Sequence, residues 1–318
     1  MYKKRKFVPG ECMHIYQREV KGYNIFYDLE DFLVFYMIFS TTARHYGVKV
    51  MMMCIMPNHV HSLLSSDSLK NISNFIMRYT SLFVREYNRD LGRKGQLFHK
   101  SFGSAPKKGG KSIRSTIVYI GNNPVEKSLS SVAEGYKWNF LSYIKRKIDG
   151  VRMPVRYVSE RLRYVFKVID STATRGSYLN YSHLRRLMDN LNEQERDSLT
   201  DYIMMSFFPF ETDSLMGFYK CYEDMINAMH STAGNEYDIK EQYYPETDKV
   251  YEYMAEVLRR DFGDKFSNQI RNVIMLPLEI KFDLAKHLLR ATSASIYQIS
   301  RFLHMPVERR AAETPDSE

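Results

Sequence analysis

The residues best equipped for chemistry lie in MPNHVHSLL, Met56 to Leu64. His59 and His61 stand two positions apart, just after an apolar run, VKVMMMCIM (Val48 to Met56). In an extended segment residues i and i+2 project to the same face. Both imidazoles then point together while Val60 points into the core. That is half of a metal site, or a chance pair on a structural strand. A second half is available in VYIGNNPV, where Tyr119 and Asn123 are four positions apart and share a face if the segment is helical. The set supplies a phenol nucleophile, two nitrogen ligands and one amide oxygen. Asn123 precedes Pro124, which disfavours the α conformation there, so its aim depends on where the helix ends.

The elements that must position these residues follow from periodicity. Cys12 to Val20 alternates as a half-buried strand. Leu29 to Tyr46 has apolar residues at helical spacing, with Asp28 as N-cap and Gly47 as stop. Val48 to Met56 and His59 to Ser66 are strands joined by a short turn. Ser68 to Gly92 is a second amphipathic helix, and Gly95 to Ala105 is extended. This βαββαβ order predicts an α+β, ferredoxin-like antiparallel sheet with both helices on one face. A lysine- and glycine-rich loop, Ala105 to Lys111, leads to a helix over Ser112 to Asn123 closed off by Pro124. Trp138 to Lys147 ends the unit. Beyond Gly150 most segments have helical periodicity. The expected division is 1–150, a helical accessory region over 151–275, a helix-turn-helix shape over 276–312 and a polar tail over 313–318.

Composition bounds the function classes. The chain has 318 residues, 44% of them hydrophobic, which is enough for a full core. No uncharged apolar run is long enough to span a bilayer, and the basic N-terminus has no apolar region of a signal peptide behind it. Three scattered cysteines, Cys12, Cys54 and Cys221, fit packed thiols in a reducing compartment. A cytoplasmic protein with no membrane partner is the expectation. Residues 1–150 carry 24 Lys/Arg against 11 Asp/Glu, a net +13, whereas residues 151–318 carry 22 against 26, a net −4. An asymmetry of this size points to an anionic partner for the first half.

HVH after an apolar strand, the tyrosine of YIGNNPV, the opening HIYQREVKGYNIFYDLEDF and LFHKSF, in this order and spacing, resemble the single-tyrosine HUH transposases. The nearest branches are the insertion sequence 200-like and REP-associated tyrosine transposases. The resemblance covers about residues 5–147. It implies an HUH endonuclease palm on the ferredoxin-like sheet, His59 and His61 as metal ligands, Tyr119 as nucleophile and Asn123 as third ligand. It further implies metal-dependent cleavage and rejoining of single-stranded DNA through a 5′-phosphotyrosine, with Mg²⁺ or Mn²⁺ as the ion and hairpin DNA as partner. Family members occur as dimers or monomers, so a homodimer is one of two open states.

Candidate DNA contacts are Arg85, Arg89, Arg93, Lys94, Lys100, Lys107, Lys108, Lys111 and Arg114, opposed only by Glu86 and Asp90. Arg85, Arg89 and Arg93 form a stripe on one helix face, read here as leading toward the tyrosine helix. Phe98, His99 and Phe102 are candidates to stack on bases. A solvated helix face followed by a loose lysine loop is the plainer reading. The KKRK of Lys3 to Lys6 is a further phosphate contact or a solubilising tail. In the C-terminal segment Ser295, Tyr297, Gln298, Arg301, Arg309 and Arg310 are placed to reach DNA if Ile296 to Leu303 and a helix from Val307 form a helix-turn-helix. His14 reads as a core or hydrogen-bonded residue. Against the enzyme stands a second hypothesis: a DNA- or RNA-binding regulator on the same scaffold that does not need Tyr119.

Overall fold

The computed structural model describes residues 7–99, 102–151, 158–231, 247–266 and 269–306. Six elements build the sheet layer: β1 (Cys12–Arg18), α1 (Leu29–Tyr46), β2 (Lys49–Ile55), β3 (His59–Ser65), α2 (Leu69–Leu91) and β4 (Gly103–Lys107). The strands lie in the order β2-β3-β1-β4, every pair antiparallel. This is the ferredoxin-like α+β sheet the element order predicts. Local chemistry sets the helix ends. A capping box joins Asp28 and Asp31 at the start of α1, and Gly47, at φ 60°, ends it. Ser68 caps α2 and Gly92, at φ 65°, ends it. Glycine takes this left-handed conformation without a Cβ penalty.

Two boundaries differ from expectation. The lysine- and glycine-rich stretch is not a loop: Ala105 to Lys107 belong to β4, opposite Cys12 to His14. β1 has backbone groups to satisfy on that side, and this outweighs the poor strand propensity of glycine, proline and lysine. Pro106 is tolerated because β4 is an edge strand. Before it, Leu97 and His99 bond to Val20 and Arg18 at the end of β1. The next helix, α3 (Gly109–Glu126), is not closed off by Pro124, which sits inside it. Proline in the last turn forfeits one bond. The turn is then closed by the N–H groups of Lys127, Ser128 and Leu129 on the carbonyls of Asn123, Val125 and Pro124.

The sheet has two covered faces. On one, Gln17 bonds to Thr80 and Tyr79, which seats α2 there with α1 packed along it. On the other lies α3, in contact with β2, β3 and β4. Helices α4 (Leu141–Ile148), α5 (Glu160–Thr174), α6 (Tyr181–Met188), α7 (Glu193–Ser206), α8 (Thr212–Met216) and α9 (Tyr222–His230) share one apolar core with the sheet, running from Cys12 to Met229. A second core, Val250 to Met305, is built from α10 (Lys249–Asp261), α11 (Gly263–Phe266), α12 (Leu278–Ala291) and α13 (Ile296–Leu303). No helix among the described residues is long and apolar enough to cross a membrane.

Polar contacts fasten the second core to the first. The buried Arg271 guanidinium pairs with Asp31 of α1 and Asp90 of α2. It also lies over the Tyr181 ring at 4.1 Å and the Tyr87 ring at 4.8 Å. Asp28 accepts from the backbone N–H groups of Ile270 and Arg271 at 3.1 and 3.0 Å. His304 is held neutral by burial, which pushes its pKa down to about 3. Its Nε2–H donates to the Asn24 carbonyl at 2.7 Å.

Part of the helix-turn-helix expectation is corrected. Gln298 is buried and spent on structure: its Oε1 accepts from Ser295 N–H, and its Nε2 donates to the Thr247 carbonyl. Ser295 is the cap of α13, and the Arg301 carbonyl accepts from Asn24 N–H. Tyr297 remains exposed. The helix expected from Val307, with Arg309 and Arg310, lies outside the described residues, as does the KKRK of Lys3 to Lys6.

Removing one member of a buried charge network leaves the others desolvated without compensation. Arg271→Ala is expected to destabilise the protein by about 3–5 kcal/mol, read as a lowered urea midpoint.

Candidate active site

Register decides what faces α3. Arg18 is opposite His59 and Tyr16 opposite His61 in the β1–β3 pairing. Paired residues share a face, so His14, Tyr16, Arg18, His59 and His61 all project from the α3 side. The Tyr119 ring meets His61 edge-on, with centroids 5.5 Å apart, and meets His14 at 5.8 Å. His59 and His61 are 4.8 Å apart by centroid, and the side chain of Asn123 bonds to His59. The structure therefore brings together the four residues singled out by type and spacing. Asn123 reaches the site because α3 continues through Pro124.

The histidines have defined partners. His59 Nδ1 contacts Asn58 Oδ1. His61 Nδ1 and His14 Nε2 are 3.0 Å apart, so one ring donates to the other. When His61 is the donor, its Nε2 keeps a lone pair for a ligand. Burial is the main reason the His59 pKa falls well below the usual imidazole range, followed by the charges of His61, Arg18 and Lys127. A neutral imidazole is the form that ligates a metal. Among the described residues no group of three or more His, Cys, Asp or Glu could hold an ion. The residues that could hold an ion here are two imidazoles and the Asn123 amide. Two imidazole nitrogens with an amide oxygen can serve a divalent transition ion, the oxygen being the donor that also suits Mn²⁺ or Mg²⁺, so the residues fit a divalent cation.

Three neighbours escaped the sequence reading. His14 was legible as hydrogen-bonded but not as the partner of His61. Arg18 and Lys127 place positive charge beside His59. Their signal was there in part: His14, Tyr16 and Arg18 alternate on one strand face. What was lacking was the register that sets them against β3. Gly103 is a fourth neighbour that the sequence reading missed. A Cβ there would fall 1.9 Å from Tyr16 Cζ, so only glycine lets this ring cross β4.

The predicted DNA contacts divide. Lys108, Lys111 and Arg114 are exposed at the start of the tyrosine helix, and Arg114 also lies 5.0 Å over the Tyr219 ring. The arginine stripe does not lead toward that helix. It belongs to α2, on the opposite sheet face. Arg85 and Arg89 there pair with the buried Glu86, and Arg93 holds the following turn through Asn88 and the Gln96 carbonyl. Lys94 is exposed in that turn. Phe98 is no stacking platform: it is buried against Phe35 and Phe83. Lys107 is buried in β4 rather than free in a loop, Phe102 packs on the core, and His99 is exposed. Lys100 lies outside the described residues. Helical spacing gave the stripe its continuity, but spacing does not say which sheet face a helix covers.

Residues 18–123 match the family model described as transposase IS200-like. The match covers a third of the chain and falls on the family that the resemblance names. A solved structure described as a REP-associated tyrosine transposase bound to a REP hairpin aligns at 13% identity and a TM-score of 0.38. The alignment covers 50% of this chain and 93% of that one. No curated protein matches.

Gly103→Ala must displace the Tyr16 ring, whereas Gly110→Ala meets nothing within 4 Å. The first is expected to cost about 1–3 kcal/mol and the second to be neutral or stabilising by up to about 1 kcal/mol, compared by urea denaturation.

Proposed function

We propose, on the premise that residues 18–123 form a transposase IS200-like segment, that the protein cleaves and rejoins single-stranded DNA through Tyr119. The observation that carries this reading is the Tyr119 ring set 5.5 Å from His61 beside the His59–Asn123 pair. The phenol oxygen attacks phosphorus and forms a 5′-phosphotyrosine. The bond to the 3′-oxygen breaks, the phenolic proton leaves, and the released 3′-oxygen gains a proton. The phosphotyrosine conserves the bond energy, so a second 3′-hydroxyl reseals the strand without ATP.

His59, His61 and Asn123 would hold Mg²⁺ or Mn²⁺, which when bound polarises the scissile phosphate and offsets its developing charge. The chain's own residues do the rest. Arg18 and Lys127 add positive charge on the His59 side of the phosphate. Lys108, Lys111 and Arg114 guide the strand toward Tyr119 by phosphate contacts. His14 positions His61 by fixing which ring nitrogen carries the proton. Hairpin DNA is the substrate class we favour.

One observation favours the second reading, a nucleic-acid-binding regulator: Tyr119 is only 5% exposed. Attack needs substrate binding to open a path to the phenol. The deciding experiment mixes the protein with labelled single-stranded hairpins and Mg²⁺ or Mn²⁺ and looks for a covalent adduct on a denaturing gel. We expect an adduct that requires the metal and is lost in Tyr119→Phe and His59→Ala. Undiminished DNA binding by every variant, with no adduct from any, would establish the regulator instead.

The role of His14 has its own test. Its replacement by Phe is expected to weaken Mn²⁺ binding by about 10–100-fold in calorimetric titration without loss of helical signal. Because a side-chain amide oxygen accepts a hydrogen bond, His14→Gln is expected to recover part of the affinity.

A further inference from the structure

Between the two cores lies a cavity of about 300 Å³, at the small end of ligand-binding clefts. Its walls are rings: Phe26, Tyr27, Phe32, Tyr136, Trp138 and Phe302 contribute to its lining. Trp138, the only tryptophan, stacks on Phe32 at 4.3 Å and 14° and is itself partly exposed. Flat aromatic walls of this kind receive planar rings, because stacking is favourable for any π-face.

The polar atoms say which ring. Asn24 is 1% exposed, lines the cavity, and its Oδ1 has no hydrogen-bond partner among the described residues. A buried acceptor left unsatisfied costs free energy, and a donor brought by a ligand removes that cost. Glu252 and Glu256, one turn apart on α10, add carboxylate acceptors to the rim, with Arg259 beside them, already paired to Asp28 at 3.3 Å through one of its nitrogens. Carboxylates repel a phosphate, so the edge facing α10 is a donor edge. Among the DNA bases only guanine presents two adjacent N–H donors, from N1 and N2, while its O6 and N7 accept from an arginine.

Position ties the cavity to the DNA site. Its lining includes Pro57 and Leu129. Pro57 is two residues before His59, a span of at most about 7 Å. Leu129 is two residues past Lys127. The cavity therefore lies close to the chain that carries His59 at one wall and to the end of the tyrosine helix at another.

We propose that this cavity takes one unstacked guanine of the substrate strand and selects where it is cut. The inference rests on the strand-transfer reading above, and the cavity's residues Trp138, Glu252, Glu256 and Arg259 lie outside the family-matched segment. Trp138 makes it directly testable, since a base stacked in the cavity quenches the single tryptophan. In Tyr119→Phe protein, deoxyguanosine monophosphate and single-stranded oligonucleotides are titrated while Trp138 emission is followed and DNA binding is read by anisotropy. Each position near the cleaved phosphate is replaced in turn by the four bases, inosine and an abasic site.

We expect saturable quenching by the nucleotide and, in DNA, a guanine preference of about tenfold at one position. That preference should fall for inosine, which lacks N2, and shrink to within about twofold in Glu252→Leu/Glu256→Leu, which removes both acceptors. Oligonucleotides that bind with Trp138 emission unchanged, and base replacements that have no effect, would overturn the proposal. Adduct formation by the protein that keeps Tyr119, with a flat base scan, would sink the pocket and leave the strand-transfer reading standing. Saturable, Glu252- and Glu256-dependent quenching, with no adduct from the protein that keeps Tyr119, would do the reverse.

Discussion

The site depends on the register of β1 against β3. That pairing sets Arg18 opposite His59 and Tyr16 opposite His61, and with them His14 within hydrogen-bond distance of His61. A slip of β1 by one residue would send His14, Tyr16 and Arg18 to the α2 side of the sheet, away from His59 and His61. The register is specified because both faces are buried and chemically unlike. Met13, Ile15 and Gln17 serve the α1–α2 layer, where Gln17 is fixed by Thr80 and Tyr79. The alternate residues carry imidazoles, a phenol and a guanidinium. Gly103 adds a steric pin, since Tyr16 crosses β4 where no side chain stands.

Around that frame the protein places charge unevenly. The imidazole of His59 is buried and neutral, with Arg18 and Lys127 close enough to disfavour its protonation. The same positive charges attract an anion to the histidine side of Tyr119. On the opposite sheet face the charges answer each other. Glu86 engages Arg85 and Arg89, and Asp90 takes Arg185 and Arg271. The net excess of the first 150 residues therefore overstates what is available on α2. The exposed lysines and arginine at the start of α3 are the part of it that lies beside the tyrosine.

Arg271 gives the C-terminal helices a fixed place. It is a long buried side chain with two carboxylate partners and two aromatic faces. Alternative dockings would strand its charge, so the pairing selects one arrangement rather than merely adding stability. This arrangement creates the ring-lined cavity, which neither core possesses alone: Phe26 and Phe32 come from one, Tyr251 and Phe302 from the other.

The order of strands and helices and the helix stops at Gly47 and Gly92 were legible in the sequence, as were the four side chains His59, His61, Tyr119 and Asn123 that the fold brings together. Periodicity and residue type are local properties, and they sufficed for these. Tertiary structure decided the rest. It showed that α3 runs through Pro124, because the closing bonds come from beyond it, and that Lys107 lies in a strand, because β1 needed a partner. It set the arginine stripe of α2 on the far face, buried Phe98 among Phe35 and Phe83, and turned Gln298 inward to cap α13. Above all it made His14 the partner of His61. Those two residues are 47 positions apart, and no local pattern contains the register that joins them.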